Sequence, residues 1–384
     1  MKNITDIIKK ISDIHPSSLF NFDELYSNLL NEEKKGYINK TSHPDFPHLF
    51  IFKYSNKCNY DEAWNVFTLM ARGLVLDIKD KKVITRTMPK FFNHNEIDIN
   101  KVFQKQFVAT EKLDGSCGVL FNFYNNWIVS TLGSFTSDQS IWAKKYLDKN
   151  IKIDKLNTDD TYVFEIIYKE NKIVVPYDYE GLSLITIFDK NGREYGFIDR
   201  EEIAKDVGFL LPKIYEFNNI DDIKNEIKSL DRYRKGFVIR FSNGVRVKMK
   251  GDEYLRIHRL MSQVTPLAIW DIMKNEGNLE DIRKELPEEL IDDFNNIYNI
   301  LNERLNELLK EIEIVTEETK EKNDRDLGNL IQNHPQYFAF LKYKESKRFI
   351  FSKRKGKFDN DFSTINSYLR NKVFEIIRPA NNKL

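Results

Sequence analysis

The sequence predicts an α+β fold: antiparallel β-sheets with flanking helices over residues 1–255, then an all-helical domain over 256–384. Three observations carry this. Up to about residue 255, short β-branched and aromatic runs alternate with turn residues. Beyond it, apolar residues recur at three-and-four spacing. The strand runs also lie close together with few long helices between them, as antiparallel sheets require.

The elements follow in order. Ile4, Ile7, Ile8 and Ile11 lie at helical spacing among charges, which predicts an amphipathic N-terminal helix and not a signal peptide. Strands are expected in "LFIFKY" (49–54), "RGLVLDI" (72–78), "KVITRTM" (82–88), "CGVLFNFY" (117–124), "NWIVSTLGS" (126–134), "TYVFEIIY" (161–168), "KIVVPY" (172–177), "LSLITIFD" (182–189) and "GFVIRFSNGVRVKMK" (236–250). "YNNW" and "SNG" are tight-turn sequences with alternating residues on both sides, so each predicts a hairpin. A further strand-like run, Val102 to Val108, leads into "EKLDGS" (111–116). In the second half, Phe294, Ile297, Tyr298, Leu301, Leu305, Leu308, Leu309 and Ile312 mark one long helix face. "TPLAIWDIMK" begins with Thr265 as an N-cap and proline in the first turn, and "INSYLRNKVFEIIR" reads as another helix.

Composition sets limits. The 384 residues leave room for two domains, and 41% hydrophobic content supports a packed core. Lys+Arg (60) and Asp+Glu (59) nearly cancel, so any basic binding surface must be local. Cys58 and Cys117 do not make a disulfide framework, which points to a reducing, cytoplasmic setting. No apolar run is long enough to span a bilayer, so no membrane partner is expected. Six histidines and two cysteines show no zinc spacing, and there is no GxxxxGK[ST] loop. His94 after "FFN" reads more readily as a packing or hydrogen-bonding residue than as a general base, and His258 follows "VKMK" near the domain junction.

The chemistry centres on Lys112. Alone, "KLDG" is more often a turn than a site. Its company changes the weight. Lys248 and Lys250 alternate on "RVKMK", which puts both ammonium groups on one strand face. Glu165 sits inside the apolar run "YVFEIIY", and Arg72 and Lys90 flank apolar strands. Each has a bland reading as a surface residue. Together they suit an amine nucleophile: neighbouring cations keep a lysine neutral, and the same cations neutralise a triphosphate. A carboxylate can hold Mg²⁺ through its waters.

With these motifs in order, residues 45 to 260 closely resemble the ATP-dependent RNA ligases of the phage T4 RNA ligase 1 family, in the covalent nucleotidyltransferase superfamily. The resemblance implies a nucleotidyltransferase (adenylyltransferase) domain over 1–255. It makes Lys112 of "EKLDGS" the adenylated residue, with Glu111 and Gly115 at the nucleotide. "IFKYS", "ARGLVLD" and "MPKFFNHNE" carry over Tyr54, Arg72 and Lys90 as ATP contacts. "FEIIYKENKIVV" makes Glu165 a metal-water and ribose-side carboxylate, "LSLITIFDKNGREY" resembles a strand pair lining the nucleobase pocket, and "VKMK" makes Lys248 and Lys250 phosphate contacts with Tyr254 just beyond. Asp114 and Glu165 become the metal-side carboxylates. The implied cofactors are ATP and Mg²⁺ (or Mn²⁺). The implied partners are RNA 5′-phosphate and 3′-hydroxyl ends, nicked tRNA among them, and an end-healing kinase–phosphatase. Competing readings are a capping or DNA-ligase-type nucleotidyltransferase, and a non-catalytic nucleotide- and RNA-binding protein.

Two departures stand out. The family's fourth motif has a glutamate where "RKGFVIR" places Lys235, beside the metal position, and its ammonium is expected to pair with Glu165 or Asp114. Lys235, whether natural or engineered, is read as an engineered or inactivating change, so slow adenylation of Lys112 is expected, with Lys235→Glu a gain. In "TLGS" (131–134), Leu132 replaces a basic residue and removes one phosphate- or metal-side contact. In the helical domain, 334–358 interleaves aromatics with Lys and Arg. That suits either stacking on unpaired RNA bases or an amphipathic helix with a solvated basic face.

Overall fold

The computed structural model describes residues 2–97, 106–171, 174–286, 288–333, 347–359 and 365–380. They form two compact units, Met1–Leu255 and Arg256–Leu384.

The first unit holds three sheets. β1 (Ile38–Ser42), β2 (Leu49–Tyr54), β3 (Arg72–Asp77) and β4 (Lys82–Thr85) pair in sequence order, all antiparallel. β5 (Phe92–Asn93), β6 (Phe107–Glu111), β11 (Ile214–Tyr215), β12 (Gly236–Phe241) and β13 (Arg246–Lys250) make a second sheet in the order β11-β6-β12-β13-β5. β7 (Ser116–Phe123), β8 (Asn126–Thr131), β9 (Thr161–Ile167) and β10 (Gly181–Phe188) make the third, in the order β10-β9-β7-β8. Among the strand pairs of the described residues, β13 and β5 run parallel, Val247 beside Phe92 and Lys248 beside Asn93.

Sequence pattern explains most of this. β9 is buried along its whole length, so "TYVFEII" reads as a continuous apolar run and not as alternation. Its Phe164 packs with Leu184 and with Leu147 of the helix Asp138–Asn150, forming the core on one face of the third sheet. Ile51 and Val75 of the first sheet share a second core with Val119 and Phe121 of β7. The N-terminal helix Lys2–Ile11 buries Ile8 and Ile11 in a third core with Phe237 and Val247.

The forecast failed in places. β1, "INKTS", is polar and was missed; it forms because the β2 edge supplies partners. The run 172–177 does not make a strand within its described residues, 174–177. The N–H groups of Val174 and Val175 donate to the Asp114 carboxylate instead. Val102 and Phe103 lie outside the described residues.

The second unit is helical. Its helices include Pro266–Lys274, Glu288–Glu318, Asp324–Asn333, Lys347–Arg354 and Ser367–Ile376. Thr265 caps the first, its side chain accepting from Ala268 N. Trp270 Nε1 donates to Phe374 O at 2.8 Å, tying the first helix to the last. Within 347–358, Phe349, Ile350 and Phe358 are core residues, and Lys353 and Arg354 make ion pairs with Glu313 and Asp324. The apolar positions fit an amphipathic helix, but Lys353 and Arg354 are ion-paired and only 12% and 16% exposed, so they do not form the solvated basic face expected; 334–346 lies outside the described residues. Among the described residues, no helix is long and apolar enough to cross a membrane.

Gly236 opens β12 with φ +130, and a Cβ there would lie 2.1 Å from Met249 O. Gly236→Ala should cost about 1–3 kcal/mol, read as a lower melting temperature. Unchanged melting would show that the strand start relaxes at no cost.

Candidate active site

β6 ends at Glu111, and residues 112–115 turn the chain into β7. Backbone bonds fix this turn: Glu111 N donates to Lys213 O at 2.7 Å, and Lys112 N to Gly236 O at 2.9 Å. Gly115 N donates to Glu165 Oε1 at 2.9 Å, and a Cβ on Gly115 would lie 2.3 Å from Ile166 O. Only glycine lets the turn come this close to β9. The turn borders a cleft lined by Lys112, Glu111, Arg72 and Glu165 together with apolar Phe91 and Ile185.

Electrostatics single out Lys112. Burial and then the Lys235 ammonium push its amine down to about 7; Lys248 and Lys250 add to this and Glu165 opposes it. Lys248 is itself lowered to about 8, by burial and then by Lys90 and Lys250. Lys250 is lowered by burial and then by Lys235. A half-neutral amine at physiological pH, ringed by cations in a cleft, is equipped to attack an electrophile that carries negative charge.

Asp114 plays a different part from the one expected. Its side chain is buried, and its two oxygens accept four hydrogen bonds. Lys235 Nζ (2.5 Å) and Tyr254 Oη (3.0 Å) donate to Oδ1; Val174 N (2.8 Å) and Val175 N (3.1 Å) donate to Oδ2. Burial alone would raise its pKa, but Lys235 and the two backbone donors outweigh burial and hold the carboxyl below its usual range. A carboxylate has about four acceptor positions, and here all are taken. Asp114 is thus a structural hub with no lone pair left for metal-bound water. Glu165 is the remaining candidate, and among the described residues no three His, Cys, Asp or Glu side chains gather as a metal site.

The other candidates fall into place around these. Lys235 pairs with Asp114, one of the two partners expected of it. Lys90 Nζ lies about 5 Å from the rings of Tyr54, Trp64 and Phe92, so Tyr54 serves an aromatic box for Lys90 outside the cleft lining. Arg72 donates to Met88 O and lies over Phe91. Leu132 is half-buried and packs against the core that holds Val119, its side chain close to Gly73. His94 donates its backbone N–H to Lys248 O; its ring pKa is lowered by burial and then by Lys224.

The run "LSLITIFDKNGREY" lines the cleft through Ile185 and Glu194, but the sequence did not single out the charge cluster around Glu194. Glu194, buried there, pairs with Arg240 (2.7 Å) and Arg246 and accepts from Thr186. Arg200 donates to Ile185 O at 2.7 Å. The signal for Arg246 was present: it shares the alternation of Lys248 and Lys250 on β13. Tyr177 was also missed; its hydroxyl accepts from Asp114 N at 2.8 Å.

Residues 70–254 match the model of the RNA ligase family of the T4 RNA ligase 1 type. Among curated proteins, the chain is 27% identical over 221 residues to a "Putative bifunctional polynucleotide kinase/RNA ligase" of Autographa californica nuclear polyhedrosis virus, covering 50% of this chain and 31% of that protein. It is 24% identical over 306 residues to an RNA ligase of Rhodothermus phage RM378, covering 61% of this chain and 69% of that one. The chain thus spans about a third of the viral relative. Among solved structures, an archaeal ATP-dependent RNA ligase aligns with a TM-score of 0.48 and 13% identity, over 74% of this chain and 79% of that one.

The Lys112 amine should titrate far below an ordinary lysine. Trace labelling of amines with acetic anhydride across pH, followed by peptide mapping, should place its midpoint near 7, against 10.5 for an ordinary lysine. A midpoint near 10 would remove the electrostatic case for Lys112 as the nucleophile.

Proposed function

We propose that this chain, whose residues 70–254 belong to the RNA ligase family of the T4 RNA ligase 1 type, is an ATP-dependent RNA ligase that works through a lysyl-AMP intermediate. One observation carries the reading: the Lys112 amine, held near neutral, faces a cleft with Arg72 and Glu165 and is flanked by Lys248 and Lys250.

In the first step, the Lys112 Nζ lone pair attacks the α-phosphorus of ATP. An N–P bond forms, the bond to the bridging oxygen breaks, and pyrophosphate leaves with the electron pair. The nitrogen gives a proton to solvent. Lys248 and Lys250 stabilise charge growing on the phosphoryl oxygens, and Arg72 supports it from the cleft wall. This is catalysis by positioning and fixed charge. A divalent ion, Mg²⁺ or Mn²⁺, arrives with the triphosphate as part of the substrate. Glu165 faces the ribose side.

In the second step, an RNA 5′-phosphate oxygen attacks the same phosphorus. AMP passes to the RNA and Lys112 is released as the amine. In the third, a 3′-hydroxyl attacks the 5′-phosphorus of the activated end; a phosphodiester forms and AMP leaves. The helical unit is assigned to RNA substrate contacts, nicked tRNA among them. An end-healing kinase is the logical partner, since such ligation requires a 5′-phosphate; the viral relative carries a kinase in its own name.

Incubation with α-labelled ATP and a divalent metal, followed by denaturation, should leave label on the protein. Lys112→Ala should abolish it, and Lys248→Ala or Lys250→Ala should each slow it about 10²–10³-fold. ATP binding without label on any form would leave a nucleotide-binding protein in place of the ligase.

A further inference from the structure

We infer that Lys235 is a built-in cation doing the work of a protein-held metal beside Lys112, so that the one divalent ion in the first step is the ion the nucleotide brings. The inference rests on the ligase reading for its chemistry, but its first measurement does not.

Four observations support it. Asp114 has no acceptor position left: Lys235, Tyr254, Val174 and Val175 use all four. Lys235 is fixed, with its side chain 11% exposed, its ammonium 2.5 Å from Asp114 and 5.4 Å from the centre of the Tyr254 ring. A charge held in one place in a low-dielectric surround acts strongly on its neighbours and repels a second cation. Lys235 is also placed beside Lys112 by the backbone, since Lys112 N donates to the carbonyl of Gly236, the next residue, at 2.9 Å. Lastly, no third metal-ligating side chain joins Glu165 among the described residues.

Charge arithmetic makes the substitution coherent. An Asp–Lys pair is neutral by itself. An Asp–Glu pair at the same two positions carries two negative charges, and a divalent cation returns it to neutral. The two arrangements present similar charge to the nucleophile, but only the second needs a metal. Lys235→Glu in this chain would therefore press two buried carboxylates together and create a demand for an ion.

The first test counts metal. The full chain is bound to the α,β-methylene analogue of ATP, which cannot transfer its nucleotidyl group, and bound Mn²⁺ is measured by the loss of free Mn²⁺ signal in electron paramagnetic resonance. One Mn²⁺ per wild-type complex is expected, and two for Lys235→Glu. Two Mn²⁺ on the wild type would overturn the inference, whether or not the chain adenylates. The second test is single-turnover labelling with α-labelled ATP. Lys235→Met should label about 10²-fold more slowly, and excess Mn²⁺ should not restore it. Lys235→Glu should label slowly when Mn²⁺ only matches ATP, and recover in excess Mn²⁺. Lys235→Met labelling at the wild-type rate, or Lys235→Glu labelling faster than wild type at matched Mn²⁺, would show Lys235 to be inert or harmful. If no form labels while the wild type still binds a single Mn²⁺ with the analogue, the ligase reading fails and the metal count stands.

Discussion

The site depends on one buried carboxylate. Asp114 ties together four segments distant in sequence: the turn after β6, the connection between β9 and β10 through Val174 and Val175, the start of β12 through Lys235, and the helix after β13 through Tyr254. No apolar contact could do this, because the segments meet through backbone N–H groups and an ammonium that need an acceptor. An ionised carboxylate with four acceptor positions is the smallest group that satisfies them all. Breaking a buried pair of this kind leaves the partner charge stranded, so the hub holds position more than it adds net stability. Lys112 is two residues away, and its backbone N–H is bonded to Gly236 on the neighbouring strand. Lys112 is therefore held from both sides by elements that meet at Asp114.

Around that anchor, like charges are brought together against their own repulsion. Arg246, Lys248 and Lys250 share one face of β13 by alternation. Their fates differ along the strand. Arg246 is neutralised by buried Glu194, whereas Lys248 and Lys250 have their pKa values lowered by burial and then by neighbouring cations. One strand thus grades from a paired cation to cations pressed by like charge. Such a cluster lowers the stability of the empty protein and favours whatever anion relieves it, so binding and stability are linked.

Much of this was legible in sequence, for identifiable reasons. Strands with long apolar or alternating runs, such as β9 and the β12–β13 hairpin, announce themselves because burial dictates their pattern. Period-two spacing placed Lys248 and Lys250 on one face before any geometry was known. What could not be read were the relations set by contact between distant segments. Val174 and Val175 looked like strand residues, yet their N–H groups serve a carboxylate sixty positions earlier. Asp114 looked like a metal-side carboxylate because residue type alone does not report how many donors reach it. The packing of the Tyr54 ring against Lys90 was likewise not legible in the sequence.

Lys235 shows what a motif constrains. Read as a letter out of place, it suggests a damaged enzyme. Read as a charge, it completes a neutral pair with Asp114 and leaves a positive group near Lys112. An impaired site would carry signs of the loss: an orphaned carboxylate, or an ammonium turned out to solvent. Neither is seen here, since Asp114 is fully satisfied and Lys235 is largely buried against it. In this chain a neutral Asp114–Lys235 pair stands where an Asp–Glu pair with a divalent cation would carry the same net charge. A lysine delivers one positive charge on a tethered stem without an acid cluster, and that is why the described residues around Lys112 can dispense with one.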